Sequence, residues 1–251
     1  MRGKFTQMID LHCHFLPGVD DGAQTLEEAL GLARAAVADG VRHAVMTPHV
    51  HPSLYSNMRS NLEPALHALR RALGQHGIEL EISLGGEMRL EPASLELILR
   101  GEVPSVGHWG AEPVVLVELP HDQIPMGSDK AVAFLRRQGV VPMIAHPERN
   151  KGVLRDWKRI EPFVDAGCLL QVTAGSVCGD FGEKCRVVAD QLLEKNWVTV
   201  VASDAHNLTH RPPAMSRAHA ALVASHGLGK ADQLTRHNPA LIVLPTHPLG
   251  R

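Results

Sequence analysis

Seven short runs rich in Val, Ile and Leu, at roughly 8–11, 41–47, 78–85, 113–119, 140–145, 168–173 and 197–203, alternate with amphipathic stretches of helical period. That alternation is the pattern of βα units laid around a parallel sheet. At 251 residues such units commonly close into one α/β barrel, so a single domain spanning 1–251 is expected.

The helices carry their own start and stop signals. Thr25-x-x-Glu28 is a capping box, and Leu26, Ala29, Leu30, Ala33 and Val37 follow at helical spacing until Gly40 ends the run. Leu62, Leu66, Leu69 and Leu73 form one stripe before Gly77, and 131–138 and 184–196 carry similar stripes. These stripes are core and have no other role. The stretch after Gly227 reads as one more helix with a loosely held end.

Against this map the ionisable residues fall in a pattern. His12 and His14 follow the first strand, His49 the second and Glu87 the third. Glu118 closes the fourth, His146 the fifth, and Asp204 with His206 follow the seventh. In a closed βα barrel the C-terminal strand ends meet on one face, so residues far apart in sequence converge on one pocket. Alternate residues of an extended segment point the same way, so both imidazoles of His12-x-His14 can reach one ion while Cys13 points elsewhere. Asp204-x-His206 repeats the arrangement with a carboxylate. Asp20 and Asp21 lie in the turn after the first strand, and either could swing over the strand ends.

A single His or Glu at a strand end is more often a polar pocket residue than a ligand, but six of seven strands supplying one favours a metal site. With Asp21 the set reaches nine candidates, more than one tetrahedral ion needs, so two or three metals are expected. Imidazole and carboxylate without thiolate suit Mn, Fe or Zn better than Ca or Mg. His51 sits beside Pro52 and reads as a rim residue. His43, His67, His76, His219, His226 and His237 fall away from that end and read as surface or structural.

Arg149 and Arg211 each lie a few residues beyond a proposed ligand, where a guanidinium fork suits phosphate or carboxylate oxygens. A rim ion pair, for Arg149 with Glu148 or Glu183, is the plainer alternative. Arg89 is a third substrate candidate, with a pairing to Glu91 as its alternative.

His12-Cys13 is also the pair that opens the loop of cysteine-dependent phosphatases. Those enzymes need an Arg six positions after the Cys, and position 19 is Val. Cys168, Cys178 and Cys185 fail the same test, with Ala174, Lys184 and Gln191 in that place. Four cysteines without CxxC spacing suggest reduced thiols and a cytoplasmic protein. The start, MetArgGlyLysPheThrGlnMetIleAsp, lacks the apolar core of a signal peptide, and no apolar run is long enough to span a bilayer. A formal charge of −2 with dispersed Lys and Arg leaves no footprint for nucleic acid.

MetIleAspLeuHisCysHisPheLeuProGlyValAspAspGly, ThrProHis at 47–49, GlyGlu at 86–87, AlaHisProGluArg at 145–149 and SerAspAlaHisAsn at 203–207 together resemble the PHP (polymerase and histidinol phosphatase) superfamily. LeuProGlyValAspAspGly and AspAlaHisAsnLeuThrHisArgProPro are similar to the bacterial metal-dependent protein-tyrosine phosphatases of capsule and exopolysaccharide operons. The resemblance spans about Met8 to Pro213. It implies a distorted (β/α)7 TIM-like barrel, the PHP fold, with a trinuclear site usually described with manganese. It assigns His12, His14, Glu87 and Asp204 to one ion, His49, Glu87 and Glu118 to a second, and Asp21, His146 and His206 to a third. Arg149 and Arg211 match its phosphate-binding arginines. Cys13 stands where a small hydroxyl residue is common, and Asn150 where some tyrosine-specific members have Tyr.

The implied activity is hydrolysis of a phosphomonoester without a phospho-enzyme. The implied substrate is a phosphotyrosine protein, the tail of a membrane-associated tyrosine kinase that controls polysaccharide export. Rivals are a small-molecule phosphatase such as one acting on histidinol phosphate, and a non-catalytic barrel that binds metal or a phosphopeptide. An amidohydrolase would carry a bridging Lys where Glu118 stands.

Overall fold

The computed structural model describes residues 7–243. Most of the stretch read for a signal peptide, and the loosely held end after 243, lie outside the described residues. In chain order the strands are β1 (Met8–Cys13), β2 (Val41–Met46), β3 (His49–Val50), β4 (Glu81–Leu84), β5 (Glu87–Arg89), β6 (Gly107–Trp109), β7 (Glu112–Glu118), β8 (Val141–Ala145), β9 (Leu169–Thr173) and β10 (Val200–Ala202).

Every expected strand is present, and a further short strand follows the second and the third. Pro48 has no N–H to give to a ladder, so β2 stops before it and β3 resumes after it. Gly85 and Gly86 separate β4 from β5, and a Cβ on Gly85 would lie 2.8 Å from Val106 Cγ1 and 3.0 Å from Val45 Cγ1. That close approach needs a glycine. Across the breaks, Gly85 N–H donates to Met46 O (2.8 Å) and Glu87 N–H to Pro48 O (3.0 Å).

The consequence is two sheets, not the one closed ladder expected of a barrel. One is parallel with order β1-β2-β4, and the other is parallel with order β10-β9-β8-β7-β5-β3. β6, absent from the sequence reading, pairs antiparallel with β7. The first and last strands meet through Asp204 N–H to His12 O (2.8 Å) and His14 N–H to Ala205 O (2.9 Å).

Inside the ring of strands, Leu11, Val45, Leu116, Met143 and Val200 form an apolar cluster joined by Ala240 and Ile242 from the helix Asn238–Val243. Truncating a fully buried member such as Leu116 to Ala should cost about 2–5 kcal/mol. The larger cluster lies between the strands and the surrounding helices, and it holds the stripe Leu62, Leu66, Leu69 and Leu73 of helix Arg59–Gln75. Helix Leu26–Ala38 begins with the expected box, Glu28 N–H donating to Thr25 Oγ1 (3.2 Å). The other two expected helices are Ser128–Arg137 and Glu183–Glu194. Helix Met215–His226 was not anticipated, and the helical run after Gly227 contains a π turn at Gln233–His237.

Candidate metal centre

β1 is buried along its whole length and alternates faces, so His12 and His14 project to one side and Cys13 to the other. Glu87 opens β5, and Asp204 follows β10 at φ +53°, a left-handed conformation that Asp tolerates better than most residues. The four ligand-type side chains meet. His12 Nε2 and His14 Nε2 lie 3.2 Å apart, His12 Nε2 is 3.2 Å from both Glu87 Oε2 and Asp204 Oδ1, and His14 Nε2 is 3.5 and 3.3 Å from the same oxygens. All four residues are buried.

This arrangement fits a cation. Ligand atoms about 2.1 Å from a shared ion stand roughly 3.0–3.4 Å from one another in tetrahedral or octahedral geometry. Glu87 Oε2, Asp204 Oδ1 and His206 Nε2 are buried and lack any hydrogen-bond partner. Unsatisfied buried carboxylate oxygens are costly and call for an explanation, which an ion supplies.

Hydrogen bonds at Nδ1 orient three of the imidazoles. Gln171 Oε1 accepts from His12 Nδ1 (3.0 Å), and Asp20 Oδ2 accepts from His14 Nδ1 (2.7 Å). His206 Nδ1 donates to Asp204 O (3.0 Å). In each neutral ring the lone pair is therefore left on Nε2, facing the centre. Asp20 also accepts from Gly22 N–H (2.9 Å) and His49 N–H (3.0 Å), which ties the turn to two strands. Gly22 has no alternative here, since a Cβ would fall 2.2 Å from His14 O.

Asp21, turned the other way, faces the centre. Its Oδ1 is 3.3 Å from His49 Nε2 and 3.4 Å from His206 Nε2. His14, Asp21, His49 and His206 form one group able to hold an ion, beside His12, His14, Glu87 and Asp204, and His49, Glu87 and Glu118. The two groups that share Glu87 are those the resemblance implies, and beside Asp21 and His206, where it implies His146, the structure gathers His14 and His49. His146, at φ +29°, puts Nε2 2.9 Å from Glu87 Oε1. It shares a small cavity of about 30 Å³ with Glu118, His121 and Arg149. β3 ends the larger sheet, whereas β8 sits beside β7, so His146 lies on the Glu118 side of the site.

Arg149 and Arg211 both pair with Asp204 Oδ2, through Nη1 and Nη2, and not with Glu148 or Glu183. Arg89 pairs with Glu118 (3.0 Å) and not with Glu91, which is taken by His51 (3.3 Å). Asn150 is turned away: its Nδ2 donates to Pro120 O (2.7 Å) and Gln123 O (3.1 Å). His43 is structural, 2.8 Å from Ser83 Oγ, and His219 pairs with Asp232 (2.9 Å). Asp20 as an orienting group and Gln171 carried no distinguishing signal in sequence.

The centre is electrostatically tense without ions. Burial would lower His12, but Glu87 and Asp204 push it up to about 9. Burial would likewise lower His49, and Glu87 with Asp21 drives it up to about 12. Burial and neighbouring His14 hold His206 down near 4. Against their burial, Glu87 and Asp204 are kept well below the usual carboxylate range, with His12 the largest stabilising charge for each. Cys13 is the opposite case. It is fully buried, its thiol donates to Val45 O (3.4 Å), and burial with Asp10 nearby pushes it well above its ordinary value.

Comparison with known proteins gives a consistent picture. Residues 8–244 match the family described as capsular polysaccharide synthesis, CpsB/CapC. The chain is 33% identical over 204 residues to tyrosine-protein phosphatase YwqE of Bacillus subtilis, covering 81% of this chain and 79% of that one. It is 29% identical over 242 residues to tyrosine-protein phosphatase CpsB of Streptococcus pneumoniae, covering 94% and 98%. Among solved structures, a chain from the crystal structures of YwqE of Bacillus subtilis and CpsB of Streptococcus pneumoniae, described as unique metal-dependent tyrosine phosphatases, gives a TM-score of 0.85 at 30% identity, covering 97% of this chain and 100% of that one. The phosphotriesterase homology protein of Escherichia coli shares the fold alone, at TM-score 0.62 and 11% identity over 95% of this chain and 99% of that one.

Proposed function

The chain belongs to the CpsB/CapC family of capsular polysaccharide synthesis, and on that premise we propose that it is a metal-dependent phosphatase of phosphotyrosine proteins. The observation that carries this reading is the convergence of His12, His14, Glu87 and Asp204 on one point, with Arg149 and Arg211 on the outer oxygen of the same Asp204.

In this reading the nine residues His12, His14, Asp21, His49, Glu87, Glu118, His146, Asp204 and His206 hold two or three divalent ions, manganese first, with Fe or Zn as alternatives. Such ions supply Lewis acidity toward a phosphoryl group and toward the attacking water. The chain's own residues do the rest. Arg149 and Arg211 each leave N–H groups beyond those spent on Asp204, and these bind and neutralise the phosphoryl oxygens. Arg89 is held by Glu118 at the rim and meets the substrate outside the phosphoryl group. Cys13 forms no phospho-enzyme, because a buried, protonated thiol is no nucleophile. An aryl phosphate expels a phenolate of pKa about 10, which needs less help from a general acid than a seryl leaving group does.

The substrate is the phosphotyrosine tail of a membrane-associated tyrosine kinase governing polysaccharide export, met in the cytoplasm. No helix among the described residues is long and apolar enough to cross a membrane. The test is kinetic: manganese-loaded protein should turn over a phosphotyrosine peptide far faster than histidinol phosphate. Binding of that peptide without phosphate release would identify a non-catalytic module, and the reverse preference a small-molecule phosphatase.

A further inference from the structure

β9 is the one expected strand that ends without a ligand-type side chain, yet the short helix Ala174–Cys178 after it leads into a turn that reaches the site. Phe181 lies in that turn, between Gly179 (φ +85°) and Gly182 (φ +88°), with its ring centroid 4.4 Å from the guanidinium carbon of Arg149. The ring is backed by bare backbone: a Cβ on Gly175 would stand 2.8 Å from Phe181 Cε2 and 3.3 Å from Cδ2. The turn itself is pinned. Asp180 N–H donates to Gly175 O (2.8 Å), Gly182 N–H to Gly179 O (3.0 Å), and the Asp180 carboxylate pairs with Arg217 of helix Met215–His226.

We propose that Phe181 is the positioning residue for Arg149, a platform built on Gly175 that covers the flat face of the guanidinium while Asp204 holds one edge. A free arginine side chain samples many rotamers, and fixing it before substrate arrives removes that entropy cost from binding. An aromatic ring beside the guanidinium carbon takes up none of its N–H donors, so those not spent on Asp204 stay free to fork onto phosphoryl oxygens. The inference rests on the phosphate-binding role of Arg149 proposed above.

The experiment compares Phe181→Leu, which keeps apolar packing and removes the π face, with Phe181→Tyr, which keeps both. Phe181→Leu should raise the KM for an aryl phosphate and weaken competitive inhibition by inorganic phosphate about three- to tenfold, the scale of a partly desolvated cation–π contact. Bound metal should be unchanged. Phe181→Tyr should stay near the parent, and Gly175→Ala, which shoves the ring, should move in the same direction as Phe181→Leu. In an Arg149→Ala background, Phe181→Leu should cost nothing further. An equal loss in both backgrounds, or unchanged phosphate inhibition in Phe181→Leu while Arg149→Ala weakens it, overturns the inference alone. Unchanged inhibition in Arg149→Ala would remove the phosphate role of Arg149, and this inference with it.

Discussion

The metal centre has an inner and an outer half, built by different means. The inner half, His12, His14, Glu87 and Asp204, is buried and stands on or immediately beside strands, with Gln171 and Asp20 fixing two of its rings. The outer half depends on a turn: the Asp21 side chain is 50% exposed and that of His49 18%. Strand-borne ligands are held by the same hydrogen bonds that build the fold, whereas a turn ligand can be lost without disturbing them. Damage to the inner half should therefore be total, and damage to the outer half partial.

The largest effect expected is for His14→Ala or Asp204→Ala. Either removes a member of the inner group and leaves buried opposite charges unpaired, so phosphatase activity should fall to background with most of the bound metal lost by elemental analysis. Full activity in either variant would break the comparison at its root. Asp21→Ala should instead cost one ion, retain the rest, and lower kcat/KM about a hundredfold, since orienting and ligating groups at such sites carry effects of roughly that size. Equal metal loss in both variants would show the two halves to be one cooperative unit. Asp20→Ala tests the link between them. It ligates nothing, but it holds His14 and the His49 backbone, and metal affinity should weaken about 10–100-fold.

These contrasts were only partly legible in the sequence. The convergence of eight candidates followed from strand order and the rule that strand ends share a face, because strand-borne residues inherit their position from the ladder. Asp20 against Asp21 was not decidable, since both sit in one turn and only its closure over Gly22 turns one inward. Which histidines stand beside Asp21 and His206 depends on which strands lie side by side, which no local pattern encodes. Pro48 and Gly85 were readable as punctuation at the ends of the second and third strands, but β3 and β5 beyond them are too short to carry a periodic signal. Gln171 and Phe181 reach the site only through long-range contacts, and such contacts leave no trace in spacing.

Proton release distinguishes the histidines of the centre from one another. His12 at about 9 and His49 at about 12 carry protons at pH 7 in the metal-free protein, while His206 near 4 carries none. An imidazole ligand must be neutral, so manganese binding at pH 7 should expel protons, and affinity should rise as pH climbs toward 9. Titration calorimetry in buffers of different ionisation enthalpy reads the number directly. The metal-free fold should show the opposite trend. A histidine raised from 6.5 contributes stability in full below that value and loses it as pH rises through its folded value, so the metal-free melting temperature should fall between pH 7 and 10. An apo protein that grows more stable over that range would contradict the ion pairing described for His12.

The smallest effect belongs to the other face of β1. Cys13 lies between two inner ligands in sequence, but its Sγ is in the core and donates to Val45 O. A serine hydroxyl can make that same donation at the cost of about 1 kcal/mol or so in burying a more polar group. Cys13→Ser should therefore keep its metal and stay within about twofold of parental turnover, since sites outside the chemistry change stability and not rate. Abolished turnover with full metal occupancy and an unchanged fold would make the thiol a participant after all, and would require the strand to present its reactive group on the face opposite His12 and His14.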